Sequence, residues 1–176
     1  MIAISAGHHN FSKGASYGSF NEHDEAVLWA DYLVECLEGE AILVPHGFLK
    51  KKVAFINGNP EIKLAIEIHF NSALKDGEHI GKGSETLHYP GSTKGVMTAH
   101  IIQATLGQIF TPDRGVKEGY YQMKKHRGPD FFLAKTRCTA LILEPEFIQR
   151  EAIIKRDRKI ACEAIAGALL DAVSLL

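Results

Sequence analysis

The chain has 176 residues, 45% hydrophobic and 23% charged, with a formal net charge of -1 at pH 7. A chain of this length buries roughly 70% of its unfolded surface in one compact unit without disulfides. The near-neutral charge supplies no electrostatic drive toward nucleic acid or an anionic membrane, and no apolar run approaches the roughly 20 residues that span a bilayer.

The first seven residues, Met1 to Gly7, lack a basic segment and run straight into an apolar strand at residues 2–6, so they read as core and not as a signal peptide. Gly7-His8-His9-Asn10 breaks that strand, and a Gly- and Ser-rich loop follows to Phe20. Asn21 is placed to cap a helix whose first turn carries Glu22, Asp24 and Glu25. Ala26, Ala30, Leu33 and Leu37 form its apolar stripe, and Gly39 sits where it stops. Ala41 to Val44 reads as a second strand ended by Pro45, and a short helix is expected over residues 49–56.

The third strand is Ile62 to His69, followed by a Gly- and charge-rich segment from Asp76 to Gly83 that reads as an exposed loop near the site. Glu85 to Tyr89 is a fourth strand, and a helix follows from about Ser92 to Phe110. Residues 111–130 read as irregular, and residues 131–136 as a short helix. Thr139 to Leu143 is a β-branched, apolar strand that delivers Glu144, and a final helix runs from about Gln149. The alternation implies a three-layer α/β/α domain over residues 1–176, with a mixed, mostly parallel sheet of about six strands. Cys36, Cys138 and Cys162 are odd in number and widely spaced, which fits neither a disulfide framework nor a paired-cysteine metal site. The basic runs Lys50-Lys51-Lys52 and Lys124-Lys125-His126-Arg127 read as solvated surface.

Ligands of open α/β sheets gather beyond the carboxyl ends of the strands. His8 follows the first strand, His69 ends the third, Glu144 ends the last, and Glu22 opens the first helix. Two imidazoles and a carboxylate form a catalytic zinc set that leaves a position for water. Glu144 is then the acid–base group. Glu67 shares a strand face with His69, where it either orients that histidine or pairs with a base; a lone acid there would be costly. His9, beside a proposed ligand, reads as a loop residue. A nucleotide-binding loop is excluded, because Gly7 to Gly18 has neither GxGxxG nor a Walker lysine.

Ser5-Ala6-Gly7-His8-His9-Asn10 with Gly14-Ala15, then Glu22, Ile68-His69-Phe70-Asn71-Ser72-Ala73, Arg114-Gly115-Val116-Lys117 and Leu143-Glu144-Pro145-Glu146-Phe147-Ile148 occur in one order across nearly the whole chain. In this set the chain resembles the zinc-dependent N-acetylmuramoyl-L-alanine amidases of cell-wall autolysins and phage endolysins. The resemblance implies a central mixed sheet between helices and one zinc ion held by His8, Glu22 and His69. It further implies Glu144 as general base and then acid, and peptidoglycan as substrate, cleaved between N-acetylmuramic acid and L-alanine. Arg114 and Lys117 are candidates for contact with stem-peptide carboxylates, and Asn71 for support of the site. The chain departs from the family's usual pattern at Ser5 (aspartate), Glu67 (serine) and Pro45-His46 (arginine), which points to a different surrounding of the ligands. The expected protein is a monomer without nucleic-acid or membrane partners. With no export signal of its own, it reads as a phage or prophage lysin of a Gram-negative host, passed to the periplasm by a holin. The rival readings are a zinc carboxypeptidase or other amidohydrolase on a related scaffold, and a non-catalytic wall-binding relative.

Overall fold

A computed structural model describes residues 1–75, 78–79, 81–120 and 128–176. In chain order the elements are β1 (Ile2–Ala6), β2 (Ser16–Tyr17), β3 (Phe20–Asn21), α1 (Glu22–Cys36), β4 (Ala41–Leu43), α2 (Leu49–Asn57) and β5 (Leu64–Ile68). There follow β6 (Leu74–Lys75), β7 (Glu78–His79), β8 (Ser84–His88), α3 (Thr93–Ile109), β9 (Asp113–Glu118), α4 (Phe131–Lys135), β10 (Thr139–Glu144) and, after a 3-10 turn at Ile148–Arg150, α5 (Glu151–Ser174).

The central sheet has six strands in the order β4-β1-β5-β10-β8-β9. The first four in that order run parallel, β8 is antiparallel to β10, and β9 is parallel to β8. The expected mixed, mostly parallel sheet is therefore present. Alternation along the strands sends Ile2, Ile4, Ile66, Ile68, Leu141 and Leu143 into a core shared with α1, α3 and α5. Ala3, Ala65, Ala140 and Ile142 face the opposite way, against Val53 and Ile56 of α2 and Phe132 and Leu133 of α4. Parallel strands covered on both faces read as nearly continuous apolar runs, which is how β1, β5 and β10 are written.

The structure corrects the reading of residues 111–130. Asp113–Glu118 is a strand at the sheet edge. Its sequence, DRGVKE, carries four charges and one β-branched residue. That composition suits an edge strand, where charge discourages pairing with another chain, but it hides the strand from an apolar pattern. The loop before α1 also holds a small hairpin, β2 with β3. In the segment from Asp76 to Gly83, residues 76, 77 and 80 lie outside the described residues, as does the basic run at 124–127. All three cysteines are free. Among the described residues, no helix is long and apolar enough to cross a membrane.

Candidate metal centre

Each proposed ligand is delivered by a local device. After β1 the backbone of His8 adopts a positive φ of 57°, a left-handed turn that costs a non-glycine residue about 1–2 kcal/mol. The turn carries the imidazole back over the strand end, and its Nε2 lies 3.0 Å from Glu22 Oε2. Glu22 is the first residue of α1, held there because the Asn21 side chain accepts the Asp24 amide at 3.0 Å. Its carboxylate is buried and accepts backbone N–H groups from Ala15 at 2.9 Å and Phe70 at 3.1 Å. His69 follows β5, its amide bonded to the Leu143 carbonyl of β10 at 2.8 Å, and its Nδ1 lies 2.8 Å from Glu22 Oε1.

The ligand atoms of His8, Glu22 and His69 all lie within 4.8 Å of one another. This convergence passes a test of fit for a divalent ion. The donor set is the one zinc takes in catalytic sites, and the backbone on one side closes directly on the donor groups. A Cβ on Gly14, whose φ is +75°, would collide with Glu22 Oε2 and the His8 ring. One on Gly7 would stand 2.7 Å from His69 Cε1. Both positions need glycine because the backbone passes against the ligands.

The electrostatics agree. Burial disfavours the Glu22 carboxylate, but hydrogen bonds and charge from His69 and His8 outweigh it and hold its pKa far below the usual range. Burial likewise works against a charged His69, and Glu22 and Glu67 overcome it, pushing the imidazole well above its ordinary value. Without a metal, protons hold the three groups together; a cation can take their place.

The second nitrogen of His69, Nε2, lies 3.2 Å from Glu67 Oε2. Glu67 also meets Lys52 Nζ at 3.3 Å, so the two alternatives for this acid are both realised. Lys52 corrects the reading of the first basic run. Lys50 and Lys51 are exposed, whereas Lys52 is 2% exposed. Its ammonium donates to the carbonyls of Ala6 and, at 2.8 Å, His8. Leu49, Lys52, Val53 and Ile56 recur at helical spacing, so the apolar stripe of α2 already placed this lysine inward.

Glu144 ends β10 beside this cluster. Its Oε2 is buried and has no hydrogen-bond partner among the described residues, and burial pushes its pKa up to about 8. The triad and Glu144 line a cavity of about 450 Å³ together with Asn71, Arg114 and Lys117. Glu85, at the start of β8, was not among the residues the sequence singled out. It is buried and accepts from Asn71 Nδ2 at 2.8 Å, from Arg114 at 3.0 Å and from Lys117. Arg114 stacks over the Phe147 ring at 4.7 Å, and its Nη1 is buried without an acceptor. Glu85 lies in a polar strand, SETLH, that no apolar pattern marks, so the basic pair Arg114 and Lys117 later in the chain was the available signal for it.

The fold has clear counterparts. Over 98% of this chain and 96% of the other, the structure superposes on an N-acetylmuramoyl-L-alanine amidase from Clostridium difficile 630 with a TM-score of 0.83 at 19% identity. The amidase AmiC2 of Nostoc punctiforme gives a TM-score of 0.81 at 20% identity, covering 98% of this chain and 96% of that one. The catalytic domain of the CD27L endolysin targeting Clostridia difficile gives 0.73 at 25% identity, covering 99% and 96%. No curated protein matches the chain in sequence. The model of the N-acetylmuramoyl-L-alanine amidase family matches residues 2–174, and the chain belongs to that family.

Proposed function

We propose that the protein cleaves the amide between N-acetylmuramic acid and L-alanine in peptidoglycan, with one zinc ion held by His8, Glu22 and His69. The observation that carries this reading is the convergence of those ligand atoms within 4.8 Å, beside the unpartnered carboxylate oxygen of Glu144. A zinc ion there supplies a Lewis acid that takes the pKa of water from about 15.7 to about 7, and its charge favours the ionised form of Glu144.

The chain's own groups do the rest. Glu67 accepts the Nε2 proton of His69 and so leaves the Nδ1 lone pair facing Glu22 and His8. Burial works against the Glu67 carboxylate, but His69 and then Lys52 outweigh it and hold its pKa below the usual range. Glu144 takes a proton from the attacking water as its oxygen bonds to the carbonyl carbon. When the C–N bond breaks, Glu144 returns that proton to the departing alanine nitrogen. Arg114 and Lys117 both pair with Glu85, and the buried Arg114 Nη1, which has no acceptor among the described residues, suits a stem-peptide carboxylate. The likeness to an endolysin catalytic domain at 25% identity favours a lysin role, with residues 1–176 acting as one catalytic unit.

The test is digestion of purified peptidoglycan by wild type and Glu144→Gln. Wild type releases free alanine amino ends with no new reducing sugars. Glu144→Gln keeps stoichiometric zinc and its melting temperature but loses about 10² to 10⁴ in rate. New amino ends on other stem residues would replace the amidase reading with a carboxypeptidase one. A wild type that binds zinc without hydrolysis would make the protein a wall-binding relative.

A further inference from the structure

Most phenylalanines of this chain are in the core; Phe20, Phe70, Phe110, Phe132 and Phe147 are all buried. Phe11 and Phe48 are not. They are 89% and 54% exposed, and a phenyl left in water forgoes a large burial gain. One exposed apolar ring is ordinary, but these two stand together. Their planes lie within 16° of each other with centroids 6.5 Å apart, and the His9 ring packs 4.7 Å from Phe48.

The patch is also held in place. His9 and Ser12 exchange backbone hydrogen bonds at 3.2 and 2.9 Å, and the Phe11 amide donates to His9 Nδ1 at 3.2 Å. Phe48 is the capping residue before α2, and its carbonyl accepts the amides of Lys51 and Lys52. Rings on pinned backbone lose little freedom when something settles on them.

The position of the patch gives it a use. A hollow of about 150 Å³ beside Phe11 and Phe48 is lined in part by His9. His9 also lines a second hollow, of about 250 Å³, that reaches His8, His69 and Asp130. Those three residues in turn line the cavity with Glu144, Arg114 and Lys117. A row of adjoining hollows with shared walls therefore leads from the phenyl pair, past the triad, to the two cations.

Its ends differ in chemistry. The aromatic end is lined by His9, Asn10, Phe11, His46, Gly47 and Phe48, with no carboxylate, lysine or arginine. The far end is charged, with Arg114 and Lys117 among the carboxylates of Glu85, Glu118, Asp130 and Glu144. The substrate of the proposed reaction likewise has an uncharged and a charged side about its scissile bond. On one side are neutral pyranose rings with C–H faces, hydroxyls and acetamides, and on the other a peptide bearing carboxylates. The electron-rich faces of phenyl rings attract the slightly positive C–H faces of a sugar, and imidazole and amide groups can bond its hydroxyls.

We propose that Phe11 and Phe48, with His9 beside them, form a saccharide-binding platform that seats the glycan strand flanking the scissile amide. This assignment rests on the amidase reading for its substrate, but its binding is measurable without catalysis. The probes are glycan oligosaccharides of alternating N-acetylglucosamine and N-acetylmuramic acid, stripped of peptide, and a muramyl peptide with one sugar. They are compared on wild type and the Phe11→Ala/Phe48→Ala variant. Both rings are exposed, so the fold does not depend on them.

The expected result is that the variant binds the stripped glycan about tenfold more weakly and shows about a tenfold higher KM on intact peptidoglycan. On the one-sugar muramyl peptide KM is expected to move less than about twofold, because that substrate lacks the flanking sugars. Equal glycan affinity and equal KM in the two proteins overturns the platform and leaves the amidase reading in place. Glycan binding lost in the variant, with no hydrolysis by wild type, sinks the amidase reading and keeps the platform. If the substitutions instead abolish self-association in sedimentation or binding to anionic vesicles, with glycan affinity unchanged, the patch is a contact for a second copy or a membrane, and the platform is overturned.

Discussion

Lys52 Nζ lies 3.3 Å from Glu67 Oε1, and neither side chain reaches solvent appreciably. The lysine comes from α2 and the glutamate from the middle of β5. Through the carbonyls of Ala6 and His8 the same ammonium grips the end of β1, while the glutamate grips His69. One buried ion pair thus ties together the two strand ends that carry imidazole ligands.

Removing half of such a pair strands the other charge. Lys52→Met is expected to cost about 3–5 kcal/mol in urea unfolding with chelator present. Glu67→Gln should weaken zinc affinity by about 10- to 100-fold in chelator competition, because His69 loses the carboxylate that orients it. The double variant is expected to be destabilised by less than the sum of the singles. Additive costs would mean that the two groups act separately.

A second, partly buried pair offers a contrast, anchored one turn along α1 from Glu22. Arg158 of α5 donates two hydrogen bonds of 2.7 Å to Glu25 of α1, which also accepts from Trp29 Nε1 at 3.0 Å. Arg158→Met is expected to destabilise the fold by about 3 kcal/mol while zinc stoichiometry stays at that of wild type. Loss of metal at full folding would show that α5 controls the site directly.

The protonation of Glu144 gives stability a pH dependence that can be isolated by substitution. Its carboxyl faces His69, Glu22, Glu85 and Arg114, and burial raises its pKa from 4.5 to about 8. Between those values the metal-free folded protein holds a proton that the unfolded chain has released. Fewer protons on the unfolded state means that stability falls as pH rises through this window. In chelator, the stability of wild type relative to Glu144→Gln is therefore expected to decline from pH 5 to pH 8. A difference that is flat, or that grows with pH, would contradict the burial of this carboxyl.

Arg114 has one guanidinium nitrogen against Glu85 and another buried with no acceptor. If that nitrogen awaits a substrate carboxylate, Arg114→Ala raises KM by about tenfold or more. Arg114→Lys fails to restore it, since a lysine cannot serve both acceptors in the same planar geometry. An uncharged stem-peptide analogue should be insensitive to either change.

Much of this arrangement was legible in the chain. The apolar strands that lead to His8, His69 and Glu144 announced the sheet and set these three candidates at one rim of it, because buried parallel strands are written as continuous hydrophobic runs. The departures were legible as oddities but not as a solution. Ser5 and Glu67 are direct neighbours in register, so an acid absent from β1 is present one strand over. Beside that acid stands Lys52, from α2, the helix that follows Pro45-His46. A triple lysine reads as surface by composition, and only the stripe of α2 says otherwise. Asp113–Glu118 went unread for the opposite reason, since an edge strand needs charge where a central one needs bulk.

The left-handed turn at His8 and the pairing of β1, β5 and β10 have one further consequence. The proposed ligands stand at positions 8, 22 and 69, and the proposed base at 144, so no contiguous stretch contains the candidate site. Side chains alternate along a strand, so a slip of one residue in β5 would turn Glu67 away from Lys52 and carry His69 off its partners. Correct strand pairing and the capacity to bind metal are then a single event. Zinc uptake during refolding should report the completion of the sheet, and a chain caught in the wrong register would be inert toward the cell wall.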